Sequence, residues 1–242
     1  MLDFLIDIDT QIYLFFNGMH TPLLDRFMML FTGRFIWIPM YVALAIMLLK
    51  TFGAKLAGIY LIAIGVAIAL TDQTCATFIR PAVARLRPSN PDNPLSAMAV
   101  IVDGYRGGRY GFPSCHSANS FALATFIGCL IRRPKFVAFI IIWAVLNSYT
   151  RLYLGVHYPG DLLIGAIIGS GFGYLCYRVA RHIEPSHRHA SLNAMGNPIF
   201  SIPTGMQLSD GQNATIGITV GDMTIAVGIA TILYIMASCL IV

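Results

Sequence analysis

The sequence predicts an all-α fold, an integral membrane six-helix bundle with an N-terminal interfacial amphipathic helix. Two observations carry that expectation. Apolar residues make up 57% of the 242 and charged residues only 11%, against roughly 45–50% and about 25% in soluble domains. Between clusters of charge lie six long, nearly uncharged stretches, each reaching the ~20 residues a helix needs to cross a hydrocarbon core of ~30 Å.

The first twenty residues, MLDFLIDIDTQIYLFFNGMH, lack the basic start and small-residue cleavage site of a signal peptide. Asp3, Asp7 and Asp9 interrupt Leu, Ile and Phe there, so residues 1–21 are expected to lie along the membrane surface. The six spans are expected near 33–50, 54–79, 114–131, 134–154, 158–180 and 222–242. Residues 22–181 form the membrane core, and 222–242 is an additional C-terminal span. Between them, residues 182–221 are a polar connection, too long for an ordinary helix link. It fits either a flexible tail or a small ordered cap. The loop 89–112, with the interfacial stretch LSAMAVIV, is a candidate lid.

The formal charge of +5 is modest and carries no basic run, so nucleic acid is not an expected partner, whereas membrane lipids and phosphate are. Cys75, Cys115, Cys129, Cys176 and Cys239 fall in or beside the spans, without the spacing of a disulfide framework or a zinc site. His182, His187 and His189 in HIEPSHRH have no plausible fourth ligand, so no metal is expected there either. Nothing in the sequence specifies an oligomeric state.

Threading the spans through a bilayer brings three polar blocks to one face: the end of the second span near Arg80, the start of the third near Ser114, and the turn between the fourth and fifth near His157. The opposite connections carry Lys50, Lys55, Arg132, Arg133, Lys135, Arg178, Arg181 and Arg188. The positive-inside tendency assigns those to the cytoplasm. The convergent face then looks outward, toward the periplasm of a bacterial inner membrane.

In RPAVARLRP, Arg80 and Arg87 are seven residues apart, close to two helical turns if the helix continues through Pro81. Forked guanidiniums suit a phosphate, and they equally suit snorkelling to lipid headgroups. In YGFPSCHSANSF, Pro113 and Ser114 fit a helix start, an anion site made of unpaired N–H groups. His116 in the first turn is a general acid or a capping donor. In TRLYLGVHYPGD, Arg151 closes one span while Pro159 opens the next, leaving His157 ahead of that helix and Asp161 in its first turn. A carboxylate there orients one imidazole nitrogen and frees the other as nucleophile or base. Taken singly, the pair also fits a helix cap. Together, the blocks supply cations, a nucleophile with its orienting acid and a proton donor, the inventory for attack on a phosphate ester.

The three blocks resemble the motifs of the type 2 phosphatidic acid phosphatase superfamily: Lys, six residues, Arg-Pro; Pro-Ser-Gly-His; and Ser-Arg, five residues, His, three residues, Asp. Here they read R80PAVARLRP88, P113SCH116 and T150RLYLGVHYPGD161, within a resemblance covering roughly 22–181. The resemblance implies that His157 attacks phosphorus to give a phosphohistidine, that Asp161 orients it, and that His116 protonates the leaving group and later activates water. It implies that Arg80, Arg87, Ser114, Cys115 and Arg151, with backbone amides after Pro113, hold the phosphoryl oxygens, and that no metal or cofactor is needed. Arg80 replaces the lysine of the motif, Thr150 the serine and Cys115 the glycine. A glycine-only backbone at 115 would be strained by the cysteine.

The expected function is an integral membrane phosphatase acting on a lipid phosphate, with undecaprenyl diphosphate and the 1- or 4′-phosphate of lipid A as the leading substrates. Phosphatidylglycerophosphate is a third. A non-catalytic protein that binds or transports lipid phosphates is the alternative class. Asp72, charged inside the second span, fits a site or a helix-packing partner; Arg106 and Arg109 fit contacts to a second phosphate or a sugar, or solvated loop charges.

Overall fold

The longest helical run, α3 (Ile38–Gln73), has 36 residues, about 54 Å if straight and far more than a bilayer core of ~30 Å. Gly53 interrupts it with φ 74° and ψ 167°, an angle pair open to glycine. The run therefore has two arms, joined where Lys50 and Lys55 flank the break. The computed structural model describes residues 1–183, 200–207 and 213–240.

Four runs are long and apolar enough to cross a membrane: Ile38–Val83, α6 (Pro134–Tyr153), α7 (Pro159–His182) and α8 (Val220–Leu240). A shorter apolar helix, α5 (Cys115–Ile131), accompanies them. The chain is thus a helical integral membrane protein, with four such runs and one shorter apolar helix where charge spacing led to six expected spans. The first two expected spans lie within one run, divided only at Gly53, and the third is a 17-residue helix.

The N-terminal helix α1 (Leu2–Asn17) is amphipathic in an unexpected sense. Tyr13 and Asn17 are buried and Asp9 is half-buried, a four-residue stride along one face, while Phe4, Leu5, Ile8, Ile12 and Phe15 are exposed. Its inward stripe is the polar one. The Asn17 amide donates to the carbonyls of Val100 and Tyr153 at 3.0 Å each, and its oxygen accepts from the Val100 N–H at 2.8 Å. The loop expected to act as a lid is therefore pinned to α1 and α6. Helix α2 (Pro22–Phe31) starts at Thr21, whose hydroxyl accepts from the Leu24 N–H.

Helices α5 and α7 make the closest pairing. Gly165, Gly169 and Gly173 repeat every four residues along α7, and a methyl group added to any of them would meet the α5 backbone at Ser114, Ala118 or Ala122. Small residues at this stride let backbones touch where lipid offers no hydrophobic drive. At the top of the pair, the Ser114 N–H donates to the Asp161 carbonyl at 3.0 Å and the Ser117 hydroxyl to the Leu162 carbonyl at 2.8 Å. The start of α5 is thereby joined to the start of α7.

One apolar core runs through the bundle, including Trp37 just ahead of α3, Leu44 of α3, Phe126 of α5, Trp143 of α6, Tyr177 of α7 and Ile235 of α8. Part of the polar connection is an antiparallel hairpin, β1 (Phe200–Gln207) with β2 (Asn213–Ile218), so the chain is not purely helical. The rest of that connection, including His187, His189 and Arg188, lies outside the described residues, as do Ile241 and Val242 at the end of the last expected span. The additional helix α8 packs on α3 and α2, with the Thr224 hydroxyl within 3.4 Å of the Ala43 carbonyl and Gly228 seated against the Phe139 ring.

Candidate active site

Pro81 shapes the first block. It has no N–H to give and its ring crowds the carbonyl four residues back; the chain answers with a π-helical turn over Thr74–Ile79 before the short helix α4 (Arg80–Val83). Ala84 then adopts a left-handed conformation, φ 49°, and the helix stops. Arg80 and Arg87 therefore do not share a helical face, contrary to the two-turn expectation. They converge because the chain after Ala84 runs extended, with Leu86 bridged to Tyr110.

Arg87 is 7% exposed and anchored in three directions. Its Nε donates to the Tyr110 carbonyl at 3.1 Å, and its Nη1 donates to the Val156 carbonyl at 3.1 Å and to His157 Nε2 at 2.9 Å. A guanidinium only donates, so Nε2 presents its lone pair. Nδ1 then carries the proton and donates to Asp161 Oδ2 at 3.2 Å. Oδ2 also accepts from the Tyr158 N–H at 3.1 Å, the capping arrangement that opens α7. Capping and orientation are thus one structure, and the two readings of this pair in the sequence do not compete.

Burial, then the charges of Arg87, Arg151 and Arg80, push the His157 imidazole well below its usual pKa. It is neutral near pH 7, the state a nucleophile requires. Burial and the Arg151 and Arg80 charges also bring Arg87 down to about 10, which leaves it cationic.

Arg80 Nη2 donates to the Pro113 carbonyl at 3.1 Å and to Cys115 Sγ at 2.8 Å. Two of the three departures from the motif, Arg80 and Cys115, therefore touch each other. Cys115 has no positive φ, so its backbone does not call for glycine. Ser114 is fully buried and caps α5, its hydroxyl accepting from the Ser117 N–H at 3.4 Å. Its own amide is spent on Asp161, so among the described residues the free N–H groups at this helix start are those of Cys115 and His116.

Arg151, near the end of α6, donates to Thr32 Oγ1 at 3.0 Å and the Tyr105 hydroxyl at 2.9 Å. The Nε atoms of Arg80 and Arg151 are both buried without a partner. Unpaired buried donors are costly, and two beside a neutral imidazole make a place for an anion. His116 pairs through Nε2 with Asn147 Oδ1 at 3.0 Å, and Asn147 in turn donates to Ser120 Oγ at 2.8 Å.

Other residues here carried no sign of their placement in the sequence. Arg85 joins Asp161 Oδ1 at 3.2 Å to Asp9 Oδ2 at 2.7 Å, and its guanidinium lies 3.7 Å over the Tyr158 ring. Asp9, expected to face the membrane surface, instead points at α7 and accepts the Gly160 N–H at 2.6 Å. Gly111 packs so closely on Asp161 and Arg87 that a side chain there would collide with both. Arg106 binds the Ser89 carbonyl and Arg109 an exposed Asp92, so neither belongs to the cluster.

A family model, the PAP2 superfamily, matches residues 56–184. The chain belongs to the PAP2 superfamily. A lipid A 4′-phosphatase from Bacteroides thetaiotaomicron is 56% identical over 76% of this chain and 81% of its own. One of the same name from Porphyromonas gingivalis is 30% identical over 83% and 84%. An undecaprenyl-diphosphatase from Sulfolobus acidocaldarius is 30% identical over 61% and 65%. The PAP2 fold is shared with the crystal structure of a transmembrane PAP2 type phosphatidylglycerolphosphate phosphatase from Bacillus subtilis, at 21% identity and a TM-score of 0.55 over 75% of this chain and 89% of that one. Aquifex aeolicus LpxE matches at 24% and 0.51, over 69% and 93%.

Proposed function

We propose that this protein is a membrane lipid phosphatase that removes the 4′-phosphate from a lipid A-type acylated glucosamine, through a phosphohistidine on His157. The observation that carries the mechanism is the pairing of one buried imidazole with Asp161 at Nδ1 and with Arg87 at Nε2, at 3.2 and 2.9 Å. The substrate rests on the 56% identity to a relative named for that reaction.

When the phosphoryl group enters, Arg87 turns from Nε2 to a non-bridging oxygen, joined by Arg80, Arg151, the Ser114 hydroxyl and the amides of Cys115 and His116. Nε2 then attacks phosphorus, the bond from phosphorus to the sugar oxygen breaks, and that oxygen takes a proton from His116. Asn147 Oδ1 accepts from Nε2 of His116, so Nδ1 exchanges the mobile proton: His116 enters the first half as the imidazolium, which the charge of the incoming phosphate favours, and leaves it neutral with its proton on Nε2. In the second half, His116 takes a proton from water, the hydroxide displaces Nε2, and inorganic phosphate leaves. Asp161 stabilises the charge on His157 in both halves.

The arms of α3 on either side of Gly53, together with α5, α6, α7 and α8, make six passes, with domain limits at 1–21, 22–181, 182–221 and 222–242. The basic connections support a cytoplasmic placement of the Gly53 end and a periplasmic site in a bacterial inner membrane. The test is a substrate panel scored by released phosphate: a lipid A 4′-phosphate, undecaprenyl diphosphate and phosphatidylglycerophosphate, with wild type and His157→Ala. Turnover of the first by wild type alone is expected. Preference for undecaprenyl diphosphate overturns the substrate, and full activity of His157→Ala overturns the nucleophile.

A further inference from the structure

Beside His116 a groove of about 600 Å³ runs down between α3, α5 and α6. His157 is not among its lining residues, whereas His116 and Asn147 are. In phosphoryl transfer the entering and leaving atoms lie roughly in line across phosphorus. The groove is therefore on the leaving-group side.

Its walls change character with depth. On α5 the lining residues are His116 and Asn119 above, then Leu123 and Ile127 below. On the second arm of α3 they are Asp72 at the top, then Ile68 and Leu61. From His116 to Ile127 the helix descends roughly 16 Å, about one leaflet of a ~30 Å core. The cavity is shaped and graded like one amphiphile standing in the outer half of a bilayer.

The polar end holds groups that the protein leaves unsatisfied. Trp143, 3% exposed, has its indole N–H buried without an acceptor, and Asn119 Oδ1 is buried without a donor. The Asn119 amide N–H reaches Asp72 Oδ1 at 3.4 Å, holding a carboxylate in the same wall. The Trp143 donor and the Asn119 and Asp72 acceptors, in a wall that Thr32 and Arg34 also line, match a sugar carrying hydroxyls and an acylated amine above an apolar slot.

We propose that this groove seats the alcohol released in the reaction, with Trp143, Asn119 and Asp72 reading the sugar and the slot beneath taking an acyl chain. The proposal rests on the sugar-phosphate reading above and adds the residues that make the choice. It explains why Asp72, a charge inside a membrane helix, is present at all.

The experiment compares kcat/KM for two phosphomonoesters of equal acyl length, an N-acylated glucosamine 4-phosphate lipid and a phosphatidate. Trp143→Phe deletes the indole N–H, and Asp72→Asn deletes the charge. Each is expected to lower the sugar-over-glycerol ratio about five- to tenfold, the change one hydrogen bond yields. An unchanged ratio in both variants, or equal loss on both lipids, overturns the proposal; should Trp143→Phe not fold, Asp72→Asn decides. A wild-type protein inert on the sugar lipid defeats the substrate reading itself and is seen before any variant is made. Ile127→Trp, which fills the lower slot, is expected to shift the preference toward shorter acyl chains, and an unmoved chain-length profile overturns the tail assignment.

Discussion

The contact between Arg80 and Cys115 makes a quantitative prediction about two of the three positions where this chain departs from the motif. Arg80 Nη2 spans the Pro113 carbonyl at 3.1 Å and the Cys115 sulfur at 2.8 Å. Arg80→Lys keeps the charge but replaces a planar fork with a point charge that cannot hold both acceptors in the same geometry. Cys115→Gly removes the sulfur and leaves Nη2 one acceptor short. Each single change should lower kcat/KM for a lipid phosphate by about five- to tenfold, because each disturbs the guanidinium proposed to hold the phosphoryl group.

The double variant carries the lysine and glycine of the family motif, and the glycine leaves open the space the cysteine filled. Its loss should be smaller than the product of the two single losses by a factor of about five, since one net hydrogen bond to a charged donor amounts to about 1 kcal/mol. The measurement is phosphate release from four purified proteins at one detergent concentration, with thermal stability recorded alongside. Additivity within about 0.3 kcal/mol, the value expected of independent sites, would refute the coupling. The two substitutions would then be unrelated.

Three further outcomes follow from the same geometry. His157 is held well below its usual pKa by burial and three arginines; the unfolded chain takes up a proton near pH 6.5 while the folded one does not. Its contribution to stability is therefore present above about pH 6.5 and lost as the pH falls; melting curves of wild type against His157→Asn should converge on acidification, and a constant gap down to pH 5 would contradict this. Asp9→Asn, which cuts the half-buried link to Arg85 at 2.7 Å, should reduce kcat about fivefold, an effect of about 1 kcal/mol, and unchanged turnover would detach α1 from the site. Gly169→Val, set against the Ala118 carbonyl, should destabilise by about 3 kcal/mol or prevent folding, whereas Gly171→Val, with open space around it, should be tolerated.

What the sequence made legible, and what it hid, follows from the range of the interactions. The pairing of His157 with Asp161 was readable because both partners sit within one turn of a helix start, where Pro159 sets the frame. Hydropathy marked the apolar helices α5, α6, α7 and α8, and the expected limits 33–50 and 54–79 fall on either side of Gly53, where backbone angle breaks one helical run into two arms. The convergence of Arg80 and Arg87 was expected for the wrong reason, a shared helical face, because the π turn and the left-handed Ala84 arise from Pro81 acting on a specific backbone. Arg85 and Asp9 were invisible in their roles: they meet across 76 positions, and nothing local to either distinguishes an inward acid from a surface one. The stride of Gly165, Gly169 and Gly173 was in plain view and says more than any charge about how the site is built. With the α5 and α7 backbones in contact, the Ser114 amide reaches the Asp161 carbonyl, and the helix start proposed to bind the phosphate is locked to the acid proposed to orient His157. A wider pairing would separate phosphate binding from attack, so the glycines that look like lipid-facing filler set the distance on which the proposed chemistry depends.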